Sequence, residues 1–337
     1  MGNDLQLRPQ HDKDTMKRIT FLRAAGLALG LGLSARGAFS QNFPSKPIRM
    51  VVPFPAGAAT DMAARVIGQQ LSTTLGQPVV IDNKPGAGGS IAAMDVIRAA
   101  PDGYTLMFAS NSAISSNVAL LKNIPYDPNK DFSPVAGTGE TALVLLVKAG
   151  FPVKNLKELI GYVKSHAGKV NAGYGSSSSQ ISIATLDKLA GVETLLVPYK
   201  GIPLAVNDVL GGTLDYTFAD IGNALAQVKG GNLRALGVTS AKRTPLMPDV
   251  PAISEVLPGF DITAWFAIVG PAGMPSDVVN KLNAATTQVL KTAEMRDRLA
   301  TIGLTPMPMP PEQLKGFIGT EIVKWTRLAR EANVQPE

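Results

Sequence analysis

Apolar residues along this 337-residue chain follow two different periods in turn. Short runs rich in Val, Ile and Leu at 48–52, 78–82 and 104–109 read as buried strands, and the stretches between them, 60–75 and 90–99, carry the spacing of helices. A second alternating series follows, with strands near 143–148, 170–174, 195–198, 215–219 and 234–238 and helices near 155–166, 179–190, 203–210 and 221–229. After a loop from Lys242 to Pro251, a strand near 262–269 precedes three helices near 276–291, 293–301 and 311–332. Alternation of this kind implies an α/β fold with mostly parallel sheets covered by helices. Ligands in such folds sit at the carboxyl ends of the strands.

Two of those strand ends carry unusual turns. The strand ending at Val52 runs into Pro53-Phe54-Pro55-Ala56-Gly57-Ala58, and a helix follows. The strand ending at Asp82 runs into Asn83-Lys84-Pro85-Gly86-Ala87-Gly88-Gly89, again followed by a helix. Each turn aims unpaired backbone N–H groups and the positive end of a helix dipole at one spot, which suits an anion. Two such turns on neighbouring strands are expected to face each other and grip a carboxylate without charged side chains.

The N-terminal segment changes the charge argument. From Met16 the chain shows Lys17, Arg18 and Arg23, then an apolar run from Ala24 to Ala35, then Ala38-Phe39-Ser40. This is the layout of a secretory signal peptide cleaved near Ser40/Gln41, within an over-long N-terminus, and it implies an exported, periplasmic protein. Removing residues 1–40 takes away six basic and three acidic side chains, so the formal charge falls from +6 to about +3. No stripe of Lys or Arg marks a nucleic-acid surface. With no cysteine anywhere, stability must come from packing rather than disulfides.

Catalytic machinery is hard to find. Only two histidines exist: His11 precedes the signal peptide, and His166 ends a charged helix. No Gly-x-Ser-x-Gly elbow occurs, no thiol is available, and zinc would lack ligands. Gly86 to Ile91 lacks the third glycine of a dinucleotide fingerprint, and Gly168-Lys169 lacks the rest of a Walker loop. An enzyme, a metal site and a cofactor are therefore not expected.

A set of landmarks in order sharpens this. They are Pro53-Phe54-Pro55-Ala56-Gly57 with Asp61, Asn83 to Gly89, Asp102-Gly103-Tyr104-Thr105-Leu106, and Pro125-Tyr126-Asp127-Pro128 with Asp131-Phe132. Val197-Pro198-Tyr199-Lys200-Gly201, Leu210-Gly211-Gly212 and Pro271-Ala272-Gly273 with Pro275 complete it. From about Pro44 onward the chain resembles the substrate-binding proteins of tripartite tricarboxylate transporters, the Bug-type extracytoplasmic solute receptors. The resemblance implies a two-domain clamshell of type II-like periplasmic binding proteins. One domain would be assembled from residues 41–141 plus 263–337, and the other from 142–262. It also implies a small organic acid as ligand, a dicarboxylate or an aromatic acid, and membrane transporter subunits as partners of a monomeric receptor. A neutral ligand, or a sensory or docking role without transport, stays open as an alternative.

Under this reading the ligand-binding candidates in the first domain are Phe54, Ala56, Gly57, Ala58, Thr60, Asp61, Gly86, Ala87, Gly88, Gly89, Ser110 and Asn111. In the second they are Ser176, Ser177, Ser178, Tyr199 and Asp220. Thr60 and Asp61 also suit a helix N-terminus, and Trp265 and Phe266 read as core or hinge packing. The chain departs from the family's pattern at Ala58, where relatives carry glycine, in a shortened Tyr174–Gln180 loop, at Ile181-Ser182-Ile183, and at Gly201-Ile202-Pro203.

Overall fold

The structure, a computed structural model, describes residues 1–2 and 43–336; the segment from Met16 to Ser40 read as a signal peptide lies outside them. Residues Lys46–Glu337 form one unit built on a single curled sheet. No helix among the described residues is long and apolar enough to cross a membrane.

The opening element, β1 (Ile48–Val52), is buried except at Arg49, whose guanidinium pairs with Asp82 and Asp95. It lies parallel to β2 (Val79–Asn83) and to β3 (Thr105–Ser110). Helix α1 (Ala59–Leu75) buries Ala59, Ala63, Ala64, Ile67 and Leu71, a one-sided stripe, and stops at Gly76 in the left-handed conformation. Helix α2 (Ser90–Ile97) joins β2 to β3. After β3 the chain makes a π-helical turn at Ser112–Ser116 and a short helix α3 (Asn117–Leu120).

Strand β4 (Phe132–Lys148) then runs the width of the molecule. Its first part, Phe132 to Ala142, pairs antiparallel with β9 (Thr263–Pro271), and Gly137 to Glu140 also pair with β10 (Thr305–Met309). Its second part, from Leu143 to Lys148, pairs antiparallel with β7 (Tyr216–Asp220) and β8 (Leu233–Val238). Beyond β7 lie β5 (Asn171–Tyr174) and β6 (Leu195–Pro198), both in parallel register. The strand order is β2-β1-β3-β9-β4-β7-β5-β6, so the two ends of the sheet are parallel and the middle is antiparallel. The α/β class holds, while the parallel expectation holds only at those two ends.

Helices α4 (Leu156–Ser165), α5 (Ser177–Ala190), α6 (Ile202–Gly211) and α7 (Ile221–Lys229) cover the second half of the sheet. Helices α8 (Ser276–Lys291) and α9 (Ala293–Thr301) follow β9, and α10 (Pro311–Glu331) ends the chain. Helix α10 puts Leu314 and Ile318 into the apolar cluster around β3 and β9, and Trp325 and Ala329 into the cluster of the second half. Both tryptophans donate to one buried carboxylate oxygen, Glu321 Oε2, from Trp265 at 2.7 Å and Trp325 at 2.9 Å. That satisfies a charge that burial alone would make costly.

Candidate functional site

The carboxyl ends of the parallel strands of both halves meet, and two chambers lie between them. The first turn shapes the smaller one. Gly57 takes φ +83°, a region that favours glycine, so Ala58 stays extended at φ −68°, ψ 156° and carries no strain. The glycine missing at position 58 is therefore not needed here. No side chain caps α1, so the N–H groups at its start, on Ala59 and Thr60, have no partner within the helix. Ala58, Ala59 and Thr60 line the smaller chamber.

Asp61, in the first turn of α1, does not line either chamber. Its buried carboxylate accepts from Gly57 N at 2.9 Å, Arg65 Nε at 3.1 Å and Asn83 Nδ2 at 2.9 Å. Burial pushes its pKa up, but these donors outweigh burial and hold it below the usual carboxylate value. Asn83 Nδ2 also donates to Phe54 O, tying the first turn to the end of β2. Asp61 thus braces the turn. Ala56 and Gly57 are exposed and also lie outside both chambers.

The second turn lines the larger chamber with Gly86, Ala87, Gly88 and Gly89. Gly88 sits at φ +60°, and a Cβ there would come 2.9 Å from Asn117 Oδ1. Asn117 donates back to Gly88 O, locking the turn onto α3. The two turns do not converge on one point as expected: they border different chambers, and only Phe54 of the first turn reaches both.

The second half closes the chambers through its serines. Ser176 caps α5 by accepting from Ser179 N, and the Ser179 hydroxyl accepts from Ser176 N, so this helix start is satisfied by its own residues. Ser177 and Ser178 reach across to the loop after β3. Asn111 Nδ2 donates to Ser178 Oγ at 3.0 Å, and Ser177 Oγ shares hydrogen bonds with Ser112 Oγ at 2.7 Å and Ser116 Oγ at 2.5 Å. The hydroxyls expected to face a ligand mostly hold the two halves together. Below them, the turn after β6 also touches the first turn, since a Cβ on Gly201 would lie 2.6 Å from Pro55 Cγ.

Phe54, Gly175 and Ser176 form the common wall of the two chambers. The smaller has about 20 Å³, room for about one water, and the larger about 360 Å³. Their charges differ. Asp220 is the one ionisable side chain lining the smaller chamber, and burial pushes its pKa up to about 6. Lys200 is the one charged side chain lining the larger. Tyr199 lines the larger chamber too, but its hydroxyl donates to Asp208 at 2.5 Å; burial and that carboxylate push its pKa up to about 12.

Of the expected residues, Phe54, Ala58, Thr60, Ser110, Asn111, Ser176, Ser178 and Asp220 line the smaller chamber. Gly86 to Gly89, Ser177 and Tyr199 line the larger. Tyr174, Gly175, Gln180 and Ile202 fall in two of the segments where the chain departs from the family's pattern, and they line the chambers as well. Sequence reasoning did not place Ala264 or Asn117 there, and it assigned Phe266 to packing. Phe266 stacks on Phe108 at 6.3 Å between centroids and also walls the smaller chamber, so it serves both. Nothing in the apolar run of β9 separates these two roles.

Known proteins share this architecture. A family model described as tripartite tricarboxylate transporter family receptor matches residues 63–334. BugT of Bordetella pertussis (strain Tohama I) is 33% identical over 324 residues, spanning 95% of this chain and 99% of that protein. Among solved structures, a protein of R. palustris with adipate superposes at a TM-score of 0.86 and 31% identity, over 88% of this chain and 100% of that one. MatC from Rhodopseudomonas palustris with bound malate gives 0.80 at 37% identity, over 85% of this chain and 99% of that one. The chain therefore belongs to the receptors of the tripartite tricarboxylate transporter family, which are solute-binding proteins rather than enzymes.

Proposed function

We propose that this chain is an exported, periplasmic receptor that captures a small organic dicarboxylate between its two halves and hands it to a tripartite tricarboxylate-type membrane transporter. The observation that carries the reading is the uncapped start of α1, with Ala59 and Thr60 N–H groups lining a chamber that the second half closes. One ligand carboxylate takes those donors. The second extends past Phe54 into the larger chamber, toward the turn at Gly88 and Gly89 and the ammonium of Lys200. Relatives solved with adipate and with malate support an acid of this size.

In this reading residues 41–141 plus 263–337 act as one lobe and 142–262 as the other, with the end of α10 crossing to pack Trp325 and Ala329 against the second. The chain passes between them along β4 near Ala142–Leu143 and again just before β9, which are the places for a hinge. The hydrogen bonds of Asn111 with Ser178 and of Ser112 with Ser177 then belong to a closed state. Seating a carboxylate with its first carbon parts these contacts slightly. The closed form carrying its ligand is what the transporter reads.

Thermal denaturation of residues 41–337 against C3–C6 dicarboxylates, tricarboxylates, aromatic acids, sugars and neutral amides tests this. A ligand bound only by the folded state adds about 2.7 kcal/mol at a hundredfold excess over its Kd. A rise in midpoint confined to acids is expected. A rise with neutral compounds alone would replace the carboxylate reading by that of a neutral-solute receptor, and no rise at all would favour a protein-docking role.

A further inference from the structure

Two buried polar groups line the smaller chamber, one without any hydrogen-bond partner and one without a cation to balance its charge. Asp220 occupies the capping position of α7 yet makes no side-chain cap hydrogen bond, and it is only 8% exposed. No cation lines the chamber around it. Ser110, at the end of β3, is 4% exposed, and its Oγ has no hydrogen-bond partner. An aspartate at a helix start that does not cap, and a buried hydroxyl left unpaired, are both costly unless something else completes them. Both line the chamber that the start of α1 also lines.

The chemistry of that space is restrictive. A carboxylate on the α1 N–H groups would share the chamber with the Asp220 carboxylate, and like charges so close disfavour each other. A hydrogen-bond donor between them removes the conflict. A hydroxyl can donate to Asp220 and accept from Ser110; an ammonium can donate to both. A bare methylene does neither: it leaves Ser110 unpaired and sets the two carboxylates against each other with no donor between them. With room for about one water as it stands, the chamber admits such a group only if it is attached next to the bound carboxylate.

We propose that Asp220 and Ser110 select acids bearing a hydroxyl or ammonium on the carbon beside the carboxylate, so that the ligand class is 2-hydroxy or 2-amino diacids rather than plain diacids. This rests on the carboxylate reading above. Burial raises the Asp220 pKa, and only its own backbone N–H and the Asn223 side chain act against that rise, with no cation beside it.

Calorimetric titration with matched series tests the selection: succinate, malate and aspartate; glutarate, 2-hydroxyglutarate and glutamate; adipate, 2-hydroxyadipate and 2-aminoadipate. In the series that binds, a substituted acid is expected to bind at least about tenfold tighter than its parent, the scale of one good hydrogen bond to a charged group. Asp220→Asn should cut that ratio about tenfold, mainly by tightening the parent acid, because an amide no longer repels it. Ser110→Ala should lower the preference several-fold with the midpoint of unfolding kept, and it decides the matter if Asp220→Asn fails to fold. A parent acid that binds as tightly as its substituted partners, or a ratio unmoved by both substitutions, overturns the proposal while leaving a carboxylate receptor intact. Binding by no acid in any series overturns both readings.

Discussion

Helices α1 and α5 begin in the same way on paper, each with small residues directly after a strand on the cleft side, and they end up with opposite roles. Helix α5 satisfies its own start: Ser176 and Ser179 cap each other, and Ser177 and Ser178 spend their hydroxyls on Ser112, Ser116 and Asn111. Helix α1 starts with Ala58 and Ala59 where α5 has Ser176 and Ser177, and it has no side-chain cap. Its one polar brace, Asp61, points back to Gly57 and Asn83 and leaves Ala59 and Thr60 N–H groups to the chamber. Side chains rich in hydroxyls make a latch here, and side chains too short to cap make the binding site.

The largest expected effect strikes the bare start of α1. Ala59→Pro removes one N–H at the first helical position, where proline fits the backbone, and the extended Ala58 before it is compatible. Affinity for the acid should fall about tenfold to a hundredfold, the loss of one charge-assisted hydrogen bond, with the unfolding midpoint little changed. Calorimetry on the variant reads it. A proline at the matching position of α5 removes no donor that faces the ligand.

Closure comes next. Gly201 is extended at φ −179°, so alanine is tolerated by the backbone, yet its Cβ would meet Pro55 Cγ at 2.6 Å across the cleft. Overpacking of this kind costs about 1–3 kcal/mol, and here only the closed state bears the cost. Small-angle scattering should show Gly201→Ala more open at saturating ligand than the parent protein, with affinity several-fold weaker.

The two starts should also differ in their response to acid. The Asp61 pKa lies below its ordinary value, so its contribution to stability is present above about pH 4 and fades as pH falls through the depressed value. Asp61→Asn should cost about 1 kcal/mol near pH 7 and progressively less below pH 4 in urea titrations. Ser176→Ala should cost a similar or smaller amount, about 0.5–1 kcal/mol, with no such dependence, because hydroxyl caps do not titrate.

Much of this was legible in the chain. Val51 and Val52 followed by Pro53 to Gly57 announce a strand, a sharp turn and a helix, and all three are found. The first part of β4 was not. Its residues Phe132 to Ala142 mix Pro, Gly, Ser and Thr without alternation, and it is a strand because β9 and β10 pair with it through three irregularities. Strand β10, Thr-Pro-Met-Pro-Met, carries two prolines that argue against a strand by local preference alone. At the site, backbone donors at Ala59 and Thr60 could be inferred from turn chemistry, whereas the mutual pairing of the serines could not. It depends on residues 61 to 67 positions apart being brought together. The same holds for Phe266 and Asn117, whose cleft positions come from ladder register and a π-helical turn.

The most direct measurement follows the backbone amides themselves. Protein labelled with ¹⁵N would be titrated with the acid that raises the unfolding midpoint most, and the N–H resonances at the starts of α1 and α5 compared. Large displacements at Ala59 and Thr60, with smaller ones at Ser177 to Ser179 from changed closure, are expected. Displacements confined to the start of α5, with α1 silent, would place the ligand carboxylate on the serine side and reverse the roles assigned to the two helices.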